Sequence, residues 1–115
     1  MGENNKGALT EAVYYILLSV IKPNHGYGIM QNISELTDER LIISAGTLYG
    51  ALNTLMERGW IKQLITTDDS RRKEYQITED GKEVLNNELE RLKELVDHGE
   101  NVLNKFTLNF SIVIK

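Results

Sequence analysis

Apolar residues recur at spacings of three and four along most of the chain, which is the period of an amphipathic helix. The first such face runs from Leu9 to Ile21 and predicts a helix that ends before Pro23, the single proline. We expect Asn24, in the turn that follows, to cap a second helix. The apolar positions of that second helix lie three residues apart, at Tyr27, Met30, Ile33 and Leu36.

A third helix is predicted after a short β-type run at residues 41–43, which we expect to form a strand. Ser44 has the side chain of an N-cap, and three leucines then form the core stripe: Leu48, Leu52 and Leu55. Arg58 and Gly59 are the expected end of this helix. A cation is favourable near the C-terminal end of a helix, and glycine adopts the left-handed conformation without strain.

The period then changes to two, which predicts a β-hairpin. Residues 60–67 form the first expected strand, residues 68–70 the turn, and residues 72–78 the second strand, with Tyr75 and Ile77 on one face. Residues 78–81 open the last helix.

The last helix carries an apolar seam with heptad spacing. We interpret its first turns as a core helix and the stretch beyond Val96 as a surface for self-association. Residues 108–114 also alternate like a strand, and the sequence does not decide between the two structures. The predicted dimerisation residues are Leu85, Leu89, Leu92, Val96, Leu103 and Phe106.

The length of 115 residues suits one compact unit. We divide it into an N-terminal part, residues 1–80, and a C-terminal dimerisation helix, residues 81–115. The absence of cysteine excludes disulfides and thiolate metal sites and is typical of a cytoplasmic protein. No apolar run is long enough to span a bilayer, so no membrane partner is expected.

The chemistry-bearing residues argue against an enzyme. The two histidines, His25 and His98, belong to no metal-binding or nucleophile motif, and His25 is interpreted as a turn residue tied to the second helix. We therefore expect no catalytic residue, no cofactor and no metal. The net charge of −4 disfavours indiscriminate coating of nucleic acid but allows a local basic surface.

Three helices followed by a hairpin are typical of a winged helix-turn-helix. The predicted fold class is therefore α+β, mostly helical, with a long C-terminal dimerisation helix. Such a fold reads DNA with the polar start of its third helix and a cationic hairpin tip. The candidate DNA-binding residues are Ser44, Gly46, Thr47, Tyr49, Asn53, Arg71, Arg72 and Lys73.

Each of these residues also has a structural interpretation. Ser44 serves as a cap in either case, and Tyr49 is compatible with a core position. The cationic tip has acidic neighbours that offset its charge, as in a solvated turn. The functional interpretation is favoured because all the candidates fall where this fold meets DNA.

Four segments of the sequence resemble the PadR-like transcriptional regulators. Residues 23–29 contain His-Gly-Tyr, and residues 44–52 contain Gly-Thr-Leu-Tyr. Residues 58–61 match the turn into the wing, and residues 71–81 match the wing itself. The resemblance extends from about residue 9 to 106, with the motifs in order and at the proper spacing.

The resemblance implies a dimeric winged-helix repressor that binds operator DNA and is released by a small molecule or a stress signal. Ala45 and Gly50 stand where proline is common in the family, and Gly28 stands where an acidic residue is usual. Some members bind flat aromatic drugs with a tryptophan of the last helix. The only tryptophan here is Trp60, at the start of the wing, so drug binding is not carried over.

The predicted function is a sequence-specific, DNA-binding transcriptional regulator. The alternative is a winged helix used only for protein–protein contact. Charges of both signs flank the apolar seam, which permits pairing with a second copy of the chain.

Overall fold

The computed structural model describes residues 7–65 and 72–114, and the side chains of residues 7–65 and 72–107. Four helices and three short strands follow one another in these segments: α1 (Glu11–Ser19), β1 (Asn24–His25), α2 (Gly26–Leu36), α3 (Ala45–Glu57), β2 (Ile61–Leu64), β3 (Glu74–Ile77) and α4 (Glu79–Ile114). This is the predicted winged helix-turn-helix with a long last helix.

The three strands form one antiparallel sheet in the order β1-β3-β2. In the hairpin, Ile61 lies opposite Ile77 and Gln63 lies opposite Tyr75. On the other side of β3, Asn24 pairs with Tyr75 and His25 with Glu74.

The strand predicted at residues 41–43 does not form, and that prediction was wrong. The strand that completes the sheet beside the hairpin is β1. In that run Ile43 is buried in the core while Ile42 is 72% exposed, and the segment 41–43 pairs with none of the three strands in the described part of the chain. β1 pairs with β3 because the chain at the end of α1 is bonded to β3. The Ile77 amide donates to the Val20 carbonyl at 2.8 Å, which brings the chain after α1 alongside β3.

Polar side chains fix the starts of the first two helices. Thr10 caps α1 by accepting from the Val13 amide at 3.2 Å. The cap of α2 is His25 rather than Asn24, which corrects the prediction. The Asn24 side chain is used in the turn itself, because it accepts from the His25 amide and donates to the Ser19 carbonyl.

Both predicted ends of α3 are confirmed. The Ser44 hydroxyl accepts from the Thr47 amide at 3.2 Å and so caps the N-terminal end. Helix α3 ends at Glu57 with Arg58 as its C-cap. Gly59 follows with φ of +79°, a conformation that favours glycine.

A close junction joins the start of α4 to the corner between α3 and β2. The Thr78 hydroxyl donates to the Gly59 carbonyl at 2.6 Å and accepts from the Gly81 amide at 3.1 Å. The Thr78 amide donates to the Trp60 carbonyl at 3.0 Å. Gly81 packs so tightly against that carbonyl that a Cβ at this position would overlap it.

Among the residues whose side chains are described, helix α4 packs on the core through its first turns. Its 36 residues span about 54 Å, and the side chains of Val84, Leu85 and Glu88 are buried. The radius of gyration is 18.6 Å, against about 13 Å for a compact chain of this length, because α4 extends away from the other elements. The helix continues to Ile114, so of the two structures that the sequence left open for residues 108–114 the chain adopts the helix.

Two negative findings concern the described ranges 7–65 and 72–114. No helix there has the length and hydrophobicity needed to cross a membrane. These residues also contain no group of three or more histidine or carboxylate side chains arranged to hold a metal ion.

One buried carboxylate connects α4 to the chain before α1. The Glu88 side chain is only 4% exposed, and it accepts from Arg91 Nε at 2.8 Å and from Arg91 Nη2 at 2.7 Å. It also accepts from the Leu9 amide at 3.3 Å. The Arg91 hydrogen bonds are the main cause of a pKa of Glu88 below the ordinary glutamate value, with the Leu9 amide adding to the effect.

We expect Glu88→Gln to destabilise the fold by about 1–3 kcal/mol at pH 7, because the buried group loses its charge-assisted bonds. A carboxylate whose folded-state pKa is lowered stabilises the protein above its unfolded pKa. That contribution is lost as the pH falls below about 4.5. The difference in melting temperature between wild type and variant should therefore narrow in acid, as thermal melts over a pH series would measure.

Glu90→Gln is the matched control for this prediction. Glu90 is exposed on the same helix and pairs with Lys93 at 4.0 Å, so its replacement should cost less than about 0.5 kcal/mol. An equal loss of stability at pH 7 and in acid for Glu88→Gln would contradict the role assigned to the carboxylate.

Candidate nucleic-acid interface

The exposed face of α3 carries most of the candidate DNA-contact residues. Thr47 and Asn53 are exposed on this face. Gly46 and Gly50 lie along the middle of the face, on the side of the helix opposite the buried leucine stripe. Nothing lies within 4 Å of the position of a Cβ at either glycine. Ser44, at the start of the helix, keeps its capping role and also donates to the Thr47 hydroxyl at 3.1 Å. This face combines bare backbone with short polar side chains, a surface that can approach a groove closely.

Tyr49 is intermediate between the core residue and the exposed DNA-contact residue that the sequence allowed. Its side chain is 45% exposed, so it is neither a core residue nor a fully free one. Its ring covers Gly26, the first residue of α2, where a Cβ would overlap the Tyr49 hydroxyl. The glycine of the His-Gly-Tyr motif thus leaves room for the tyrosine of the Gly-Thr-Leu-Tyr motif.

The wing places two cations beside the start of α2. Arg72 and Lys73 are exposed just before β3, and Arg72 Nη1 lies 3.3 Å from His25 Nε2. Arg71, the third predicted cation, lies outside the described residues. The predicted cation Arg72 therefore lies next to the start of α2 as well as in the hairpin.

An open cavity of about 540 Å³ separates α3, the start of α2 and the wing. Four predicted residues line it together, namely Tyr49, Asn53, Arg72 and Lys73, whereas Ser44, Gly46 and Thr47 do not. Tyr75 also lines the cavity. Burial raises the pKa of its hydroxyl, and Tyr49 adds to that increase, so the group stays neutral. The arrangement offers an anion two cations and several hydrogen-bond donors.

The sequence interpretation missed four residues of this cavity that carry polar groups: His25, Tyr27, Gln63 and Tyr75. His25 belongs to a motif that the sequence singles out, but its neighbour Arg72 is 47 residues away. Gln63 lies opposite Tyr75, on the same face of the hairpin. The alternation of side chains along the strands could have predicted this position.

Apolar side chains of α4 are exposed between Leu89 and Phe106, although the predicted seam residue Leu92 is half-buried. Leu85 packs in the core of this chain, which restricts the predicted seam to the residues after it. Val96 is 55% exposed, and Leu103 and Phe106 are each 65% exposed. Leu95 and Val102 widen the same face and were missed because they lie beside the heptad positions.

The helices, the three-stranded sheet and the exposed polar face of α3 together define a winged helix-turn-helix regulator. The sequence matches the Transcriptional regulator PadR-like family over residues 16–87. The chain belongs to this family, whose members are DNA-binding transcriptional regulators. No curated protein matches it significantly.

Several solved structures are similar to this chain. A transcriptional regulator from Clostridium thermocellum is 32% identical, with 83% of this chain and 88% of that chain covered and a TM-score of 0.63. A PadR family regulator from Eggerthella lenta is 27% identical, with 79% and 80% covered and a TM-score of 0.65. PadR of Bacillus subtilis, solved in complex with operator DNA, is 26% identical, with 69% and 46% covered and a TM-score of 0.58.

Proposed function

We propose that this protein is a homodimeric repressor that binds an operator through α3 and the wing. The observation that carries the proposal is the convergence of Tyr49 and Asn53 of α3 with Arg72 and Lys73 of the wing around one open cavity. These elements meet the groove and the phosphate backbone in winged-helix proteins. The operator complex of the Bacillus subtilis relative supports the same assignment.

The division of labour follows from the chemistry of the side chains. Thr47 and Asn53 carry hydroxyl and amide groups suited to base edges, and Tyr49 adds an aromatic ring with a hydroxyl. Arg72 and Lys73, together with Arg71, supply positive charge for phosphates, which positions the protein without reading sequence. Ser44 and Gly46 allow the start of α3 to approach the DNA backbone.

The dimer is proposed from the exposed apolar face of α4, which would otherwise be a large association-prone patch on a monomer. Two copies would present two α3 helices to two half-sites, as dimeric helix-turn-helix proteins do. We propose that a small molecule or a stress signal releases the repressor in the cytoplasm.

The double variant Arg72→Gln/Lys73→Gln tests DNA binding by the wing. If each cation contacts one phosphate in both subunits, four contacts are lost. The slope of log affinity against log salt should then become less steep by about 4. Affinity should fall alike for all sequences, as gel shifts on a random-sequence duplex between about 50 and 200 mM salt would measure.

Lys93→Gln removes one positive charge from the exposed side of α4 and serves as the control, with an unchanged slope expected. An unchanged slope in the wing variant would contradict the role of the two cations. A wild-type protein that binds no duplex at low salt would contradict the proposed function and favour a protein–protein module.

A further inference from the structure

Two hydrogen-bond donors face each other across the boundary between α2 and the wing. His25 Nδ1 accepts from the Gly28 amide at 3.1 Å, which caps α2. On the other side of the same ring, Nε2 lies 3.3 Å from Arg72 Nη1. The contact joins two segments that are far apart in sequence but line the same cavity.

The cap fixes the tautomer of the histidine. A backbone amide always carries its hydrogen, so Nδ1 must offer a lone pair to Gly28. A neutral imidazole has one N–H, and that hydrogen therefore sits on Nε2. The Arg72 guanidinium consists only of donors. Nε2–H and Nη1–H are thus two donors at close range, and neither can accept from the other.

We propose that His25 is a DNA-contacting residue, whose Nε2–H donates together with Arg72 to one phosphate of the DNA backbone. A phosphate oxygen accepts more than one hydrogen bond, and Arg72 has five N–H groups, so it can serve this acceptor and another. The inference rests on the proposed DNA-binding function and adds a contact from α2 to those from α3 and the wing.

The placement of His25 explains why a phosphate is the expected acceptor. Lys73 and Arg72 line the same open cavity, so the local charge attracts an anion. His25 is held in position by its own cap bond and by the pairing of β1 with β3, where it lies opposite Glu74. The donor is therefore oriented before the nucleic acid arrives, which reduces the entropy lost on binding.

Two substitutions separate capping from phosphate binding. The asparagine side chain is short, so His25→Asn keeps an acceptor near the position of Nδ1 and remains a good N-cap, but it loses the Nε2 donor. The glutamine side chain is longer, so His25→Gln can carry an N–H near the position of Nε2, but it is a poor cap. We expect His25→Asn to keep the wild-type melting temperature and His25→Gln to lower it.

Binding to a random-sequence duplex at low salt should show the opposite order. His25→Asn should bind at least about tenfold more weakly than wild type, because a hydrogen bond to a charged acceptor is lost. His25→Gln should bind more tightly than His25→Asn. The salt slope of His25→Asn should remain that of wild type, since a neutral donor displaces no counterion, whereas Arg72→Gln should reduce the slope by about 2 for a dimer.

The tautomer gives a measurement that needs no DNA. Nitrogen NMR of the imidazole rings, at a pH where they are neutral, should show the hydrogen of His25 on Nε2. A hydrogen on Nδ1 would overturn the inference, as would wild-type affinity for the duplex in His25→Asn. In either case the proposed function would stand if the wild-type protein binds DNA. A wild type that binds no duplex would overturn both.

Discussion

Gly81→Ala is expected to lower the melting temperature by roughly 10 °C, through a loss of about 2–3 kcal/mol of stability. The added methyl group would overlap the Trp60 carbonyl and approach the Ile77 side chain. Because the first obstacle is backbone rather than the end of a flexible side chain, relief requires α4 to move off the α3–β2 corner. That movement also strains the Thr78 hydrogen bonds to Gly59 and Trp60. Thermal melts at one protein concentration would measure the effect.

Gly50→Ala is the matched control, since it makes the same chemical change in another helix. Nothing lies within 4 Å of the position of its Cβ, so alanine should stabilise α3 by up to about 1 kcal/mol through its higher helix propensity. The two variants are thus expected to shift the melting temperature in opposite directions. A wild-type melting temperature for Gly81→Ala would contradict the tight packing at the junction.

The second large effect is expected from Val96→Glu/Leu103→Glu. Both residues are more than half exposed in the isolated chain, so the substitutions leave no cavity in the core. In a dimer they would bring buried, like-charged carboxylates together, and the protein should sediment at the monomer mass of 13.1 kDa at micromolar concentration. DNA affinity should fall by about 100-fold or more, because the second half-site is no longer tethered to the first.

Asn101→Glu/Asn104→Glu is the control for this experiment. Both residues are exposed on α4 away from its apolar face, and the substitutions add the same two negative charges. This variant should remain dimeric and bind DNA nearly as well as wild type. A wild-type protein that sediments as a monomer at micromolar concentration would contradict the proposed α4 dimer.

Local signals in the sequence predicted the helices and the hairpin because the interactions that fix them are local. Ser44 bonds an amide three residues away, and Gly59 ends α3 through its own backbone conformation. The first strand was missed because two residues, Asn24 and His25, carry no strand pattern. Their pairing arises from the long-range bond between Ile77 and Val20.

The candidate site was predicted only in part for the same reason. Tyr49, Asn53, Arg72 and Lys73 were selected by their places in the expected fold, and they line one cavity. The role of His25 depends on a neighbour 47 residues along the chain, which no local pattern indicates. The capping of α2 by this residue was hidden too, because Asn24 has the stronger intrinsic preference for that position.

The Thr78–Gly81 junction attaches α4 to the corner between α3 and β2, and so to the helix that we propose reads DNA. From Gly81 to Val96 the helix rises by about 22 Å. In the proposed dimer, held near Val96, a rotation of about 10° between the two α4 helices would displace the two α3 helices relative to each other by roughly 4 Å at that distance. That displacement is comparable to the rise of one base pair, about 3.4 Å. If α3 reads the operator as proposed, a small change in crossing angle far from the DNA is therefore enough to bring the two α3 helices out of register with their half-sites.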